Sequence, residues 1–247
     1  MKISFFEEYP NAKNLEKLDL INFPTKLYLA EYSIEGYKNY KHQLQKQNKN
    51  IKEVIWWPVL NFQEGYWLSP FSKRRGLLRA MYKLQNQDVP ILWDAELPML
   101  KKSLFITQFF KHFKNKKFIK AFFKNYKGKI YTAEYMKESK LYKNLCLNFD
   151  PKEYGNTKVK MIYSSMSKIS KEQIINKIKE LKVKYKENII IGLGVLTTGM
   201  EKNEKILSLE NLERDLQICK DLDVNEVIIY RLGGLNKEYL KIIKKFT

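Results

Sequence analysis

The chain has 247 residues, 44% of them hydrophobic, and carries a formal net charge of +19 at pH 7. This length fits one α/β barrel or two smaller domains, and we expect a single domain over residues 1–247. No stretch has the about 20 apolar residues of a membrane span, and MKISFFEEYP reaches its glutamates too early for a signal peptide, so we expect a cytoplasmic protein. Only five of the 46 basic residues are arginines, which favours a solvated lysine-rich surface over specific nucleic-acid recognition.

Eight β-rich runs alternate with helical patterns along the chain. The runs are ISFFEE (3–8), KLYLAE (26–31), EVIWWPVL (53–60), VPILWDAE (89–96), KIYTAE (129–134), KVKMIYSS (158–165), NIIIGLG (188–194) and EVIIYRL (226–232). Strands and helices in single file imply parallel pairing through right-handed crossovers, and eight units in this length predict a (β/α)8 barrel. A doubly wound open sheet is the alternative.

The connections between the runs are less uniform. Helical spacing covers residues 35–49, 72–85, 171–185 and 209–222. The piece NLCLNFDP (144–151) fits either a further strand or an extended return, and 99–127 fits one long helix or two short ones. The basic segment after Phe71 has two readings, a helix capped by Ser72 or a contact to an anionic substrate.

Carboxylates gather where the predicted strands end. Active sites of (β/α)8 barrels lie on the rim formed by the carboxyl ends of the strands, so these acids are candidate site residues. Asp94 and Glu96 also share a face if the strand extends through them, because alternate residues of a strand point the same way. The alternative is that each acid is a helix-start or loop charge. The candidates are Glu7, Glu8, Glu31, Asp94, Glu96 and Glu134.

Aromatic residues near the third and fourth strands suggest surfaces for sugar rings. Trp57 lies in the third run, and Tyr66 and Trp67 follow in its loop, where we expect them to be exposed. Glycoside hydrolysis combines such surfaces with a protonated carboxylic acid and a second carboxylate or a substrate group. The two histidines, His42 and His112, and the unpaired spacing of the two cysteines support neither a zinc site nor a disulfide, and no metal or cofactor is expected.

Three strands carry a resemblance to a known family. Asp94-Ala95-Glu96 resembles the last half of the signature of chitinase-like family 18 glycoside hydrolases, Met161-Ile162-Tyr163 resembles their Met-x-Tyr, and IGL at 191–193 resembles the next strand. The resemblance implies that Glu96 is the general acid and that Asp94 orients the substrate's N-acetyl group as internal nucleophile. It also implies that Tyr163 hydrogen-bonds that group.

The last two strands suggest a competing function. Glycines follow both strands, and Arg231 stands before Gly233-Gly234 and a helix, at the position where many barrels bind phosphate. An isomerase or lyase acting on a phosphorylated metabolite is therefore the alternative, with Glu96 or Glu134 as base. The other reading of Arg231 is an ion pair with a rim carboxylate such as Glu8. A carbohydrate-binding barrel without activity is the third possibility.

The segment FFKHFKNKKFIKAFFKNY (109–126) interleaves aromatic residues with lysines. It fits a helix that packs its phenylalanines on the barrel, and it also fits contact with an acidic membrane surface. We favour helix packing. The expected partner is a carbohydrate or a small anionic substrate.

Overall fold

The computed structural model describes residues 1–167 and 169–247. Within them, eight parallel strands form a closed barrel in chain order, with β1 paired to β8, as the sequence predicts. The strands are β1 (Lys2–Glu7), β2 (Thr25–Glu31), β3 (Ile51–Pro58), β4 (Ile91–Asp94), β5 (Ile130–Tyr135), β6 (Thr157–Met161), β7 (Ile189–Gly194) and β8 (Glu226–Tyr230).

Helices lie between the strands along the chain. They are α1 (Ala12–Leu15), α2 (Ile34–Gln47), α3 (Arg74–Gln85), α4 (Ser103–Thr107), α5 (Phe109–Asn125), α6 (Lys140–Asn144), α7 (Pro151–Tyr154), α8 (Lys171–Tyr185), α9 (Leu209–Asp221) and α10 (Lys237–Ile243). Local chemistry sets several starts: Ser170 begins α8 with a capping box to Gln173, and Ser208 caps α9. No helix in the described part of the chain is long and apolar enough to cross a membrane.

The open readings of the connections are resolved. Residues 145–150 form no strand, so NLCLNFDP is the extended return between α6 and α7. The 99–127 interval contains the short α4 followed by the long α5. Ser72 does not cap α3: the cap position is Lys73, and the Ser72 hydroxyl instead donates to the Trp67 carbonyl at 2.6 Å.

The chain divides into two compact units. The first contains Met1–Ala30, Asn39–Val54 and Val159–Thr247, and the second contains Glu31–Lys38 and Ile55–Lys158. The single-domain organisation therefore stays a prediction. Both cysteines, Cys146 and Cys219, are free and buried, and burial raises the pKa of the Cys146 thiol to about 11.

In the first unit, the concave face of the sheet is identified by contacts that reach across a strand. The Ser4 hydroxyl of β1 and the Tyr28 hydroxyl of β2 both donate to Oε1 of Glu226 in β8, at 2.7 and 3.4 Å. Tyr28 can reach β8 past β1 only on the concave side. Phe6 and Tyr230 share this inner face, because Phe6 pairs with Tyr230 and residues alternate along a strand.

In the second unit, the packing of tryptophans identifies the outer, helix-facing side. Trp56 of β3 stacks on Tyr37 of α2 with ring centroids 5.8 Å apart, and Trp93 of β4 contacts Phe123 of α5 at 5.1 Å. Trp57 and Asp94, which alternate with these two tryptophans, therefore point to the inner face.

Candidate functional site

The acid pair stands at the carboxyl end of β4. Asp94 is the last residue of the strand and is 6% exposed, and Glu96 is half-buried. The Ala95 amide donates to the Ala133 carbonyl of β5 at 2.9 Å, so extended pairing continues past the end of β4. Alternation along β4 puts Asp94 on the inner face at the carboxyl end of the strand, and the same alternation, continued past Ala95, predicts the inner face for Glu96.

A second polar cluster occupies the carboxyl ends of β1, β6, β7 and β8. The Glu8 carboxylate accepts a hydrogen bond from the Tyr230 hydroxyl at 2.6 Å and another from the Met200 amide at 3.0 Å. The Tyr163 ring, which follows β6, lies 5.7 Å from the Tyr230 ring. Burial raises the pKa of Tyr230 well above its usual value, and the Glu8 charge adds to the shift, so Tyr230 keeps its proton and acts as a donor.

The loop after β7 lies directly against this cluster. A Cβ atom at Gly199 would be 1.7 Å from the Tyr230 hydroxyl oxygen and 2.6 Å from Oε2 of Glu8. A residue with a side chain therefore does not fit at position 199 unless the loop moves. The Gly199 amide donates to Oε1 of Glu204 at 3.1 Å. The backbone of the loop therefore packs directly against the Glu8–Tyr230 hydrogen bond.

Glu7 is adjacent to Glu8 in sequence but lies on the opposite face of β1. Its Oε1 accepts from Nη1 of Arg231 at 3.0 Å and from Nδ2 of Asn14 at 3.1 Å, and its Oε2 accepts from the Gly233 amide at 2.7 Å. Burial raises the pKa of the Glu7 carboxyl, and the Arg231 charge opposes that shift. The Glu7 carboxylate thus occupies the Gly233 amide, at which the competing function expected a phosphate.

Arg231 is fully engaged inside the protein. Its Nε and Nη2 donate to the Thr198 carbonyl at 3.1 and 2.8 Å, and its Nη1 donates to Glu7. The expectation that Arg231 forms an ion pair with a carboxylate is thereby confirmed, but the expected partner was wrong. The partner is Glu7 rather than the suggested Glu8, because Glu7 is the acid of β1 that faces away from the inner side.

Glu134 does not share a face with Asp94. Trp93 pairs with Thr132, so Thr132 and Glu134 lie on the outer side with Trp93. There the Glu134 carboxylate meets Nζ of Lys158 at 2.7 Å, and both side chains are 0% exposed. Its Oε1 also accepts from the Phe149 amide at 2.9 Å. Glu134 belongs to a buried ion pair under the 145–150 segment, apart from the inner-face acids.

Glu31 and the loop aromatics also take structural positions. Oε1 of Glu31 accepts hydrogen bonds from the Tyr32 and Ser33 amides at 2.7 and 3.2 Å, just before α2. Glu31 is therefore a charge at the start of a helix, the alternative that the sequence offered for it. Tyr66 is 2% exposed and Trp67 4%, so the expected exposure of this pair is wrong. Trp57 is buried but points to the inner face.

Sequence reasoning missed Lys158 and Tyr230. Lys158 and Lys160 are both buried, and two lysines at alternate positions inside an apolar strand were the available signal for a buried counter-ion. Tyr230 carried no such signal, because a tyrosine at the end of a strand is usually a packing residue. Among the described residues, no group of three His, Cys, Asp or Glu side chains is arranged to hold a metal ion.

Comparisons with known proteins agree with this fold. No protein-family model and no curated protein matches the sequence. Solved structures do match, including the PgaB (BpsB) glycoside hydrolase domain from Bordetella bronchiseptica, with a TM-score of 0.55, 10% identity and 94% coverage of both chains. A chitinase from Chromobacterium violaceum matches with a TM-score of 0.55 and 9% identity over 99% of this chain and 98% of its own.

An epimerase is similar to about the same degree. The 3-keto-D-glucoside 4-epimerase YcjR from E. coli has a TM-score of 0.52 and 10% identity, over 100% of this chain and 98% of its own. At these identities the likeness establishes the fold alone. The chain is a (β/α)8 barrel, and its structural neighbours include glycoside hydrolases and sugar epimerases.

Proposed function

We propose that this chain is a glycoside hydrolase-like enzyme that acts on a glycosidic bond through Asp94 and Glu96. One observation carries the proposal: the buried Asp94 carboxylate lies on the inner face at the carboxyl end of β4, and strand alternation predicts the same face for the half-buried Glu96. Catalytic groups of this fold occupy that end of the strands. The glycoside hydrolase domain and the chitinase among the structural neighbours support the same class.

The chemistry follows the family 18 resemblance. Protonated Glu96 donates its proton to the glycosidic oxygen as the bond from that oxygen to the anomeric carbon breaks. The carbonyl oxygen of the substrate's N-acetyl group forms the new bond to the anomeric carbon, and the Asp94 carboxylate orients that group and stabilises its developing positive charge. Water then attacks the anomeric carbon and loses a proton to Glu96, while the bond from the anomeric carbon to the N-acetyl oxygen breaks. This step restores the acid and the N-acetyl group and releases the sugar.

Other residues are assigned supporting roles in this proposal. Tyr163 hydrogen-bonds the N-acetyl group, as the resemblance implies, and Trp57 offers a sugar-facing ring on the inner side. Glu8 is proposed to contact the substrate together with its partner Tyr230. Tyr66, Trp67, Glu134 and Arg231 are buried, and Glu31 accepts hydrogen bonds from the two amides that follow it. These observations favour structural roles for the five residues over direct contact with a sugar.

Oligomers of N-acetylglucosamine provide the test. We expect the wild-type chain to release reducing ends, and Glu96→Gln to lower turnover by about a hundredfold or more while leaving the circular dichroism spectrum unchanged. Glu35→Gln, a change at an exposed acid of α2, is the matched control and should retain full turnover. Full activity of Glu96→Gln on a substrate that the wild type cleaves would contradict the mechanism. Binding without cleavage by the wild type would favour the non-catalytic carbohydrate-binding alternative.

The isomerase or lyase alternative has lost its main support. Its phosphate was expected at Gly233 and Arg231, and Glu7 uses the donors of both residues. A phosphate at that position would have to displace a buried carboxylate from its four donors, which include Asn14 and the Tyr9 amide. We therefore place cleavage of a glycosidic bond ahead of chemistry on a phosphorylated metabolite.

A further inference from the structure

The phenylalanines of α5 divide into two groups with opposite environments. Phe122 and Phe123, at the carboxyl end, are buried and pack on Trp93 of β4. At the amino end, Phe110 is 87% exposed and Phe113 63%. The favoured expectation of helix packing is thus correct for one end of the helix only. The other end presents large apolar side chains outward.

The exposed apolar residues cluster at α4 and the first turns of α5. Ile106 of α4 is 82% exposed, Phe109 is 56% exposed, and the Phe109 and Phe110 rings meet edge to face at 5.5 Å. Single exposed apolar residues are ordinary on protein surfaces, whereas several large ones within two helical turns mark an interaction site. We call Ile106, Phe109, Phe110 and Phe113, with the lysines around them, the Phe–Lys surface.

The charge around this patch has a single sign. Residues 97–133 contain ten lysines and no acidic residue. Lys111, Lys114 and Lys117 are exposed among the phenylalanines. On the opposite side of α5, His112, Asn115 and Ile119 are buried in the protein. The helix therefore lies flat on its unit, with a cationic and aromatic side turned outward.

We infer that the Phe–Lys surface docks the protein onto an anionic lipid bilayer. Helices that lie in a membrane interface combine lysines with Phe, Trp or Leu, so that the apolar side chains enter the boundary of the acyl chains while the ammonium groups meet lipid phosphates. The charge favours an anionic partner, and the protruding phenylalanines and isoleucine need an apolar medium that a nucleic acid backbone does not offer. Attachment to the surface, rather than insertion across it, agrees with the absence of a spanning helix among the described residues.

Vesicle binding tests the inference directly. We expect the full chain to co-sediment with vesicles of phosphatidylcholine containing about 30% phosphatidylserine, and to bind pure phosphatidylcholine at least about tenfold more weakly. Replacing Phe110 and Phe113 by serine should lower partitioning from water into the anionic vesicles by about tenfold. Because this loss is one of apolar burial, added salt should not restore the binding. Val183→Ser is the apolar control, because Val183 of α8 is 83% exposed between two lysines but has no other exposed large apolar side chain on its helix.

Charge reversal separates this surface from the overall charge of the protein. Changing Lys111, Lys114 and Lys117 to glutamate should lower binding by about a hundredfold. The control variant changes three exposed lysines of other helices to glutamate, Lys46, Lys179 and Lys241. It alters the net charge equally and should lower vesicle binding far less. None of these residues belongs to the proposed catalytic site, so turnover of a soluble substrate should stay at the wild-type value in every variant.

Three results would overturn the inference. The first is failure of the wild type to bind the anionic vesicles at low salt, and the second is an equal loss of binding in the two triple-lysine variants. The third is a preference for another partner: displacement from vesicles by DNA at equal phosphate concentration would indicate a nucleic acid. A dimer that dissociates in the Phe110 and Phe113 variant, without vesicle binding by the wild type, would indicate a second copy of the chain.

Discussion

Glu7 ends β1 and Glu8 follows it directly, yet the two carboxylates occupy different regions. Glu7 lies on the outer side, where Arg231, Asn14 and the Gly233 amide surround its carboxylate. Glu8 lies on the inner side, where it accepts from the Tyr230 hydroxyl and from a loop amide. The second unit repeats the contrast with Glu134 on the outer side and Asp94 on the inner side.

This contrast indicates how acids at strand ends divide their roles. On the outer side a carboxylate is enclosed between sheet and helices, and it needs a cation and several donors to offset the loss of water. On the inner side it faces the region where this fold places substrates. Substitutions on the outer side should therefore reduce the stability of the fold, and those on the inner side should reduce binding or turnover.

The largest effect is expected at the Glu134–Lys158 pair. Lys158→Met keeps most of the volume of the side chain but leaves Glu134 charged and buried, so the free energy of unfolding should fall by about 3–5 kcal/mol. Lys177→Met, at the more exposed pair with Glu180 in α8, should cost less than about 1 kcal/mol. Urea denaturation measures both. The double variant Glu134→Gln, Lys158→Met should recover much of the loss, and no recovery would mean that packing is responsible.

The adjacent acids of β1 provide an intermediate comparison. Glu7→Gln leaves Arg231 without its counter-ion and should lower the free energy of unfolding by about 2–3 kcal/mol. Glu8→Gln keeps an acceptor for Tyr230 and for the Met200 amide, so its cost should be below about 1 kcal/mol, and its effect should instead appear in sugar binding. Equal losses of stability in the two variants would remove the distinction between the faces.

The smallest effect concerns a histidine of the helix layer for which residues 1–167 and 169–247 provide no counter-ion. His112 of α5 is buried against Phe71 with ring centroids 4.6 Å apart, and burial, followed by the Lys116 charge, lowers its pKa. As the pH falls, His112 takes up a proton near pH 6.5 in the unfolded chain. In the folded protein it does so only at a lower pH. The stability that neutral His112 contributes is therefore complete above about pH 6.5 and is lost as the pH falls through the lowered pKa.

Thermal unfolding between about pH 5 and pH 8 measures this effect. His112→Gln should flatten the decline of the melting temperature toward acid pH, and His42→Gln, at an exposed histidine of α2, should leave the decline unchanged. A wild-type decline that persists in full after His112→Gln would assign the pH dependence to other groups.

The sequence predicted the barrel because each strand is a short apolar run and each longer connection has helical periodicity. The face of each strand-end acid was harder to predict. Asp94 and Glu96 could be assigned to one face, since their spacing is local, but the side on which Glu134 lies depends on its register with Trp93, which pairs residues distant in sequence. The burial of Tyr66 and Trp67 depends equally on distant packing.

Gly199 has a consequence for the variation that the chain can tolerate. The loop passes so close to Tyr230 and Glu8 that no side chain fits between them, although the backbone there has no conformation that only glycine adopts. Even an alanine would have to push the loop outward and separate the Met200 amide from Glu8. We expect substitutions at neighbouring positions to be tolerated as long as the backbone of the loop keeps its path. At position 199 itself, any side chain would move the loop away from Tyr230 and Glu8.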